Sequence, residues 1–257
     1  MDGSESLKFS IITASYNRKE FIESCICSVL GQTFPDIEYI IVDGGSTDGT
    51  LDIIKKYEDR ISKLVSEPDN GIYDGLNKGI RMATGDVIGF LHADDLYATD
   101  NVLKTVAECF ARQNVDSCYG DLLYVDKGNT DKVIRHWESQ PYYDGLMKKG
   151  WMPAHPTFFV KKEIYAKYGS FNTDFKIAAD YELMLRFLHK HRISTYYIPE
   201  VLIKMRLGGA SNKSLSSIIR KSSEDYRAMK MHQVGGISTL LRKNLSKIPQ
   251  FFKNSNQ

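Results

Sequence analysis

The sequence predicts an α/β fold, Rossmann-like, with a mostly parallel central sheet and a basic helical tail. Three observations carry that expectation. Short apolar runs near residues 9–15, 37–42, 61–65 and 86–91 alternate with stretches of helical spacing at 18–30, 51–57 and 72–82, the pattern of right-handed βαβ units. The runs are apolar on both faces, as parallel strands covered on either side by helices are. The first, second and fourth runs give way to polar residues, Asn17, Asp43 and Asp94–Asp95, at the edge where open α/β sheets hold their ligands.

In chain order, the first helix puts Phe21, Ile22, Cys25, Ile26 and Val29 on one face and Pro35 closes the unit. The second strand runs directly into Asp43-Gly-Gly-Ser-Thr-Asp-Gly-Thr50. Glycines beside a helix N-terminus can cradle phosphate, but the spacing is neither that of a dinucleotide fingerprint nor that of a P-loop. A tight turn with Ser46 or Asp48 capping the next helix is the structural alternative. Asp43, at a strand's carboxyl end, is placed to accept hydrogen bonds from a base or ribose.

The strand around Val87, Ile88, Phe90 and Leu91 runs out into Asp94 and Asp95. Adjacent carboxylates repel unless a positive charge lies between them, and a hard divalent cation serves that purpose. The alternative is that Asp95 caps a helix beginning near Asp100. Beyond this point the pattern gives a helix over 101–111, strands over 117–125 and 132–136, a loop at 150–157 feeding a strand, and a helix opened by Asp180.

Composition is that of a soluble globular chain, 42% hydrophobic and 26% charged, with no apolar run long enough to span a bilayer. The polar start Met-Asp-Gly-Ser-Glu-Ser lacks a leader pattern, so the expected location is the cytoplasm. Cys25, Cys27, Cys109 and Cys118 have no metal-ligand spacing and read as buried free thiols. From Val201 onward eleven Lys and Arg stand against two acids, a net +9 that leaves residues 1–200 at −7. That division suggests an acidic catalytic body and an appendage meeting an anionic surface.

Four motifs taken together resemble those of family 2 glycosyltransferases of the GT-A fold. They are Ser10-Ile-Ile-Thr-Ala-Ser-Tyr-Asn17, the loop 43–50, Glu67-Pro-Asp-Asn-Gly-Ile-Tyr-Asp-Gly-Leu-Asn-Lys-Gly79, and Phe90-Leu-His-Ala-Asp-Asp95. The match is strongest over roughly the first 100 residues and continues more weakly to about residue 205. The resemblance implies a GT-A domain over 1–205, with a nucleotide-binding half at about 1–100 and an acceptor half at about 101–205, then a mobile loop and helical tail over 206–257.

It also implies roles. Thr13, Ser15 and Asn17 line the nucleotide pocket, and Asp43 bonds the base, most often uracil. Asp69, Asn77 and Lys78 close over the nucleoside and diphosphate, with His92 and Ala93 beside them. Asp94 falls at the last position of the family's D-x-D motif as ligand to Mn²⁺ or Mg²⁺, with Asp95 next to it. His92 stands where the first Asp usually is, a departure that weakens any grip by two carboxylates. Asp180 resembles the catalytic base, with Glu182 as fallback and Tyr181 on the acceptor side. Trp151 and His155 either face the acceptor sugar or serve the core. Lys204 or Arg206, before the glycine pair, either reaches the diphosphate or belongs to an exit loop.

The implied reaction is transfer of a sugar from a nucleotide-diphosphate donor, a UDP-sugar by resemblance, to the hydroxyl of a glycan or lipid-linked acceptor, with inversion and with a metal. In the tail, Ile237, Leu240, Leu241, Leu245 and Ile248 share a helical face flanked by Arg242, Lys243 and Lys247, with Phe251 and Phe252 following. Such a helix suits the anionic inner face of a membrane; docking against the body or a second subunit is the alternative, so a homo-oligomer stays open. A sugar-1-phosphate nucleotidyltransferase would carry a glycine- and arginine-rich loop after the first strand, and 13–17 is not one. A nucleic-acid-binding module would leave the body's acids without a purpose, so no nucleic acid is expected.

Overall fold

The computed structural model describes residues 7–208 and 215–245. Its first half follows the expected alternation: β1 (Phe9–Ser15), α1 (Ile22–Leu30), β2 (Ile37–Asp43), α2 (Thr50–Lys55), β3 (Lys63–Ser66), α3 (Ile72–Met82) and β4 (Val87–Phe90). These four strands lie in the order β3-β2-β1-β4 and all pair in parallel. Alternate residues of each strand face opposite cores. Ile12, Ile40 and Ile88 pack with Leu76 and Ile80 of α3 on one side. Phe9, Ile11, Ile41 and Val87 meet Ile22, Cys25, Ile26 and Val29 of α1 on the other. Both faces are dry, which is why the strands read as apolar throughout.

The second half is built differently. It comprises β5 (Asp95–Tyr97), α4 (Val102–Arg112), β6 (Ser117–Val125), β7 (Val133–Trp137), β8 (Phe159–Lys161), α5 (Lys162–Tyr168), α6 (Ala179–Met184) and β9 (Thr195–Arg206). The sheet continues as β4-β8-β6-β9-β5, with β7 paired to β6. Only β6 with β9 is parallel here; β8, β7 and β5 join antiparallel. Asp95 therefore begins a strand, and the cap reading for it fails, because α4 starts at Val102 with Asn101 in the N-cap position. α6 widens at its end into a π-helical turn over Leu185–Lys190.

The tail forms α7 (Leu215–Met231) and α8 (Ile237–Leu245), and both dock on the body. The expected single apolar face of α8 divides: Leu240 packs against the core while Ile237, Leu241 and Leu245 stay outside. Lys243, expected at the flank, points inward and ion-pairs with Asp225 of α7 at 2.7 Å, both side chains 2% exposed. Its ammonium also sits over the ring of Tyr181, 3.2 Å from the centroid. Gly150 makes the approach possible, since it adopts φ +83° and a Cβ there would lie 2.5 Å from the Lys243 backbone nitrogen. Lys247, Ile248, Phe251, Phe252 and most of the glycine-pair loop fall outside the described residues. All four cysteines are free; Cys25, Cys109 and Cys118 are buried as expected, but Cys27 is exposed on the outer side of α1.

Candidate functional site

The carboxyl ends of β1, β2 and β4 converge on one edge of the sheet, and an open cleft of about 600 Å³ lies there. Asn17, Arg18, Asp48, Asp94, Lys127 and Gly208 are among its lining residues. Asn17 holds a left-handed φ of 51°, which lets its side-chain oxygen accept from the Thr47 N–H at 2.9 Å while its own N–H donates to Ser46 Oγ at 2.8 Å. Asp48 accepts from the Lys19 and Thr50 N–H groups. The two loops are thereby locked together before any ligand arrives.

Several residues expected to touch the donor instead build this edge. Thr13 is fully buried and donates to the Leu91 carbonyl at 2.8 Å, tying β1 to the end of β4. Asp43 is likewise sealed, its carboxylate accepting from Ser46 N–H and from the hydroxyls of Ser46 and Ser66. With no exposed surface and three accepted hydrogen bonds, this carboxylate holds the turn. Asp69 is better placed: it is half-buried, accepts from the Gly71 N–H at 2.9 Å, and lies so close over Gly44 that a Cβ there would be 2.5 Å from its Oδ2. Asn77 clamps the Phe171 backbone in both directions, at 2.8 and 2.9 Å. Lys78 pairs with Glu67 at 2.8 Å and donates to the Pro68 carbonyl, bracing the loop that carries Asp69. Ser15 is buried and its Oγ has no partner among the described residues.

The two adjacent acids separate sharply. Asp94 lines the cleft, with Arg18 Nε 3.7 Å from its carboxylate and Arg206 donating to its backbone carbonyl at 2.8 Å. Asp95 is 1% exposed, and burial, with Asp94 next to it, pushes its carboxyl well above the ordinary range. Sealed inside the sheet, it does not line the cleft that Asp94 lines. Ala93 is buried between β4 and β5. His92 is partly buried, and burial pulls its imidazole below the ordinary value despite the pull of Asp94 and Asp180. Its Nδ1 has no partner among the described residues, so a neutral ring presents an unused nitrogen two residues from Asp94.

No three His, Cys, Asp or Glu side chains converge on a metal position among the described residues. Asp94 and His92 nevertheless fit a hard ion whose remaining ligands are diphosphate oxygens and water. Lys204 ion-pairs with Asp131 at 3.3 Å, away from this task, whereas Arg206 stays at the cleft through Asp94, Ser24 and the ring of Phe21.

In the first turn of α6, Asp180 is half-buried, and the Tyr73 hydroxyl lies 3.2 Å from its Oδ1. Its neighbours are structural. Glu182 is 2% exposed, bonded to Arg186 at 3.0 Å and to His232 at 2.8 Å, so it cannot take a proton from a substrate. Tyr181 lies buried beneath Lys243. Trp151 packs edge-on to Tyr119 and against Tyr142, which favours the core reading. His155 is buried against Phe90, Phe171 and His92, and burial drives its imidazole down to about 4. It backs His92 as a neutral ring. Arg18 and Tyr73 are the site residues least visible in sequence, since only folding brings them to Asp94 and Asp180; Arg206 is legible beside the glycine pair.

Comparison with known proteins agrees with this geometry. The family described as Glycosyl transferase family 2 matches residues 10–169. A Mycobacterium bovis protein named PGL/p-HBAD biosynthesis glycosyltransferase is 30% identical over 209 residues, 79% of each chain. The chain belongs to glycosyltransferase family 2. The fold of this transferase is shared with S. aureus TarS 1–349 in complex with UDP-GlcNAc, at TM-score 0.66 and 18% identity over 89% of this chain and 66% of that one. It is shared too with the Pyrobaculum calidifontis mannosyltransferase PcManGT, in complex with GDP-Man and Mn²⁺, at TM-score 0.63 and 19% identity over 97% of this chain and 74% of that one. Membership sets aside the nucleotidyltransferase and the non-enzymatic binding module.

Proposed function

We propose that this transferase moves a sugar from a UDP-sugar to an acceptor hydroxyl with inversion, assisted by a divalent metal. The observation that carries the reading is that Asp94 lines the cleft while Asp180, in contact with the Tyr73 hydroxyl, stands in the first turn of α6. The first carboxylate serves the diphosphate and the second the acceptor. Asp69 meets the base, Ser15 and Asn17 the nucleoside, and Arg18 and Arg206 the diphosphate charge. Asp180 accepts the proton of the acceptor hydroxyl as its oxygen attacks the anomeric carbon, and the nucleoside diphosphate departs from the opposite side. A bound Mn²⁺ or Mg²⁺, held by Asp94 and His92, would supply positive charge to the leaving diphosphate. TarS with UDP-GlcNAc and PcManGT with Mn²⁺ support the donor class and the metal by analogy of fold.

The acceptor is a saccharide carried on a lipid, met at the inner face of a membrane. No helix among the described residues is long and apolar enough to cross a bilayer. The outward stripe of α8, with Ile237, Leu241 and Leu245 more than half exposed beside the exposed Arg242, is what would touch its surface.

Thermal melts with UDP-glucose, UDP-galactose and UDP-N-acetylglucosamine, with and without Mn²⁺, test the donor reading. At least one should raise the melting temperature, more so with Mn²⁺. Asp94→Ala should lose the Mn²⁺-dependent part alone, because Asp94 is the carboxylate assigned to the ion. An undiminished Mn²⁺ increment in Asp94→Ala would remove the metal assignment, and no shift with any UDP-sugar would remove the donor class.

A further inference from the structure

Asp180 sits on a helix of only six residues, Ala179–Met184, and the chain leading to it, 171–178, contains no strand or helix of its own. Its position is therefore fixed by what grips that chain from outside. Two helices do so. From α3, Asn77 bonds both the N–H and the carbonyl of Phe171. One turn earlier on the same face, the Tyr73 hydroxyl lies 2.7 Å from the Ile177 carbonyl and 3.2 Å from Asp180 Oδ1. From α7, the Glu224 carboxylate accepts the N–H groups of Lys176, Ile177 and Ala178 at 2.8–3.1 Å. Arg227 adds a bond to the Asp174 carbonyl and lies over Phe175 at 3.9 Å.

We propose that Tyr73 is a positioning residue for the base: its hydroxyl, whose single proton is shared between the Ile177 carbonyl at 2.7 Å and the Asp180 carboxylate at 3.2 Å, holds that carboxylate where the first turn of α3 sets it. The proposal rests on the reading of Asp180 as base. Burial, with Asp180 beside it, pushes the Tyr73 phenol well above its ordinary value, so the hydroxyl keeps its proton and remains a donor. Its ring is held against Phe171, centroids 5.4 Å apart, and α3 itself begins at Ile72, just after Asp69, the residue assigned to the nucleotide base. A donor seated against Asp69 and a base hung from Tyr73 thus share one short stretch of chain, the loop and first turn that open α3. Base and donor are registered to each other through the five residues 69–73. Glu224 fixes the same chain from the far side and keeps the Tyr73 bond from being lost by drift of 176–178.

Tyr73→Phe removes the hydroxyl and keeps the ring on Phe171. Measured as UDP release from the UDP-sugar giving the largest thermal shift, kcat should fall roughly 10–100-fold, the scale of a hydrogen bond to a charged group, with donor KM nearly unchanged. The acid limb of the kcat–pH profile should move to higher pH, because a carboxylate that loses a donated hydrogen bond is protonated more readily. A residue that only stabilised the fold would lower the melting temperature without moving that limb. The decisive comparison is a cycle with Asp180→Asn. If Tyr73 acts through Asp180, the double variant is no slower than Asp180→Asn alone. Full addition of the two losses, or a Tyr73→Phe enzyme with wild-type kcat and profile beside a crippled Asp180→Asn, overturns the positioning role and leaves the base in place. Wild-type turnover in Asp180→Asn overturns the base itself, and the proposal with it.

Discussion

Glu38 gathers four donors around one buried carboxylate. The Ser10 hydroxyl reaches it at 2.6 Å, Thr84 N–H at 2.7 Å, Thr84 Oγ1 at 2.8 Å and Lys63 Nζ at 2.7 Å. Burial alone would raise its pKa, but Lys63, Ser10 and Thr84 together outweigh that and bring it from 4.5 to about 2. A carboxylate depressed in the fold contributes stability that is complete above the unfolded value and is lost as pH falls from about 4.5 toward 2. The size is about 3 kcal/mol. Glu38→Gln should therefore lower the unfolding free energy by about that amount at pH 7, and urea titrations should show the gap shrinking at pH 3. A gap independent of pH would mean the carboxylate's charge is not what binds β1 to its neighbours. Residues of one chemical type thus take opposite duties here. Asp94 and Asp95 are adjacent in sequence, yet one lines the cleft and the other is sealed in β5. Asp180 and Glu182 were both legible as candidate bases. What separates them is His232, fifty positions away, which occupies Glu182, and no local pattern carries that information.

Elements with a clean period were readable to within a residue or two. The expected helix over 72–82 is α3 and the expected strand over 117–125 is β6. β5 was not, because three residues, Asp-Leu-Tyr, cannot show an alternation, and its existence depends on β9 offering an edge. The antiparallel joining of β7 and β8 is hidden for the same reason: pairing partners are a long-range matter. α8 was misread in a more instructive way. The spacing puts Lys243 at the flank of an apolar face that meets either a membrane or the body, but Lys243 enters the interior to meet Asp225, and burial draws its ammonium down to about 8 against the pull of that carboxylate. Breaking such a pair on one side leaves an uncompensated buried charge. Lys243→Met should cost about 3–5 kcal/mol in denaturant unfolding, and adding Asp225→Leu should recover most of it. If the double variant is no better than the single one, packing over Tyr181, not charge, is what holds α8 to the body.

At the scale of the whole molecule, the docked tail changes how membrane attachment is to be tested. Removing residues 236–257 would strip Lys243 from Asp225 and uncover Tyr181 at the base helix, so loss of binding would be confounded with damage to the body. The outward stripe offers a cleaner probe. Ile237, Leu241 and Leu245 are spaced by four and are 67%, 56% and 59% exposed, while Thr239 and Lys243 on the opposite side are buried. Changing those three to Ser removes the apolar surface and touches none of the contacts that fix α7 or the chain before Asp180. With vesicles of phosphatidylglycerol and phosphatidylethanolamine, the full chain should sediment reversibly and progressively less as salt rises, since each basic residue near the surface contributes about 1 kcal/mol and is screened beyond about 10 Å at 0.1 M. The triple variant should stay in the supernatant, with an unchanged melting temperature and unchanged UDP release in solution. Equal sedimentation of the two proteins would move the contact off α8. Should neither sediment while the wild type alone self-associates in ultracentrifugation, the stripe belongs to a second copy of the chain, and the lipid carrier must be met elsewhere on the cleft.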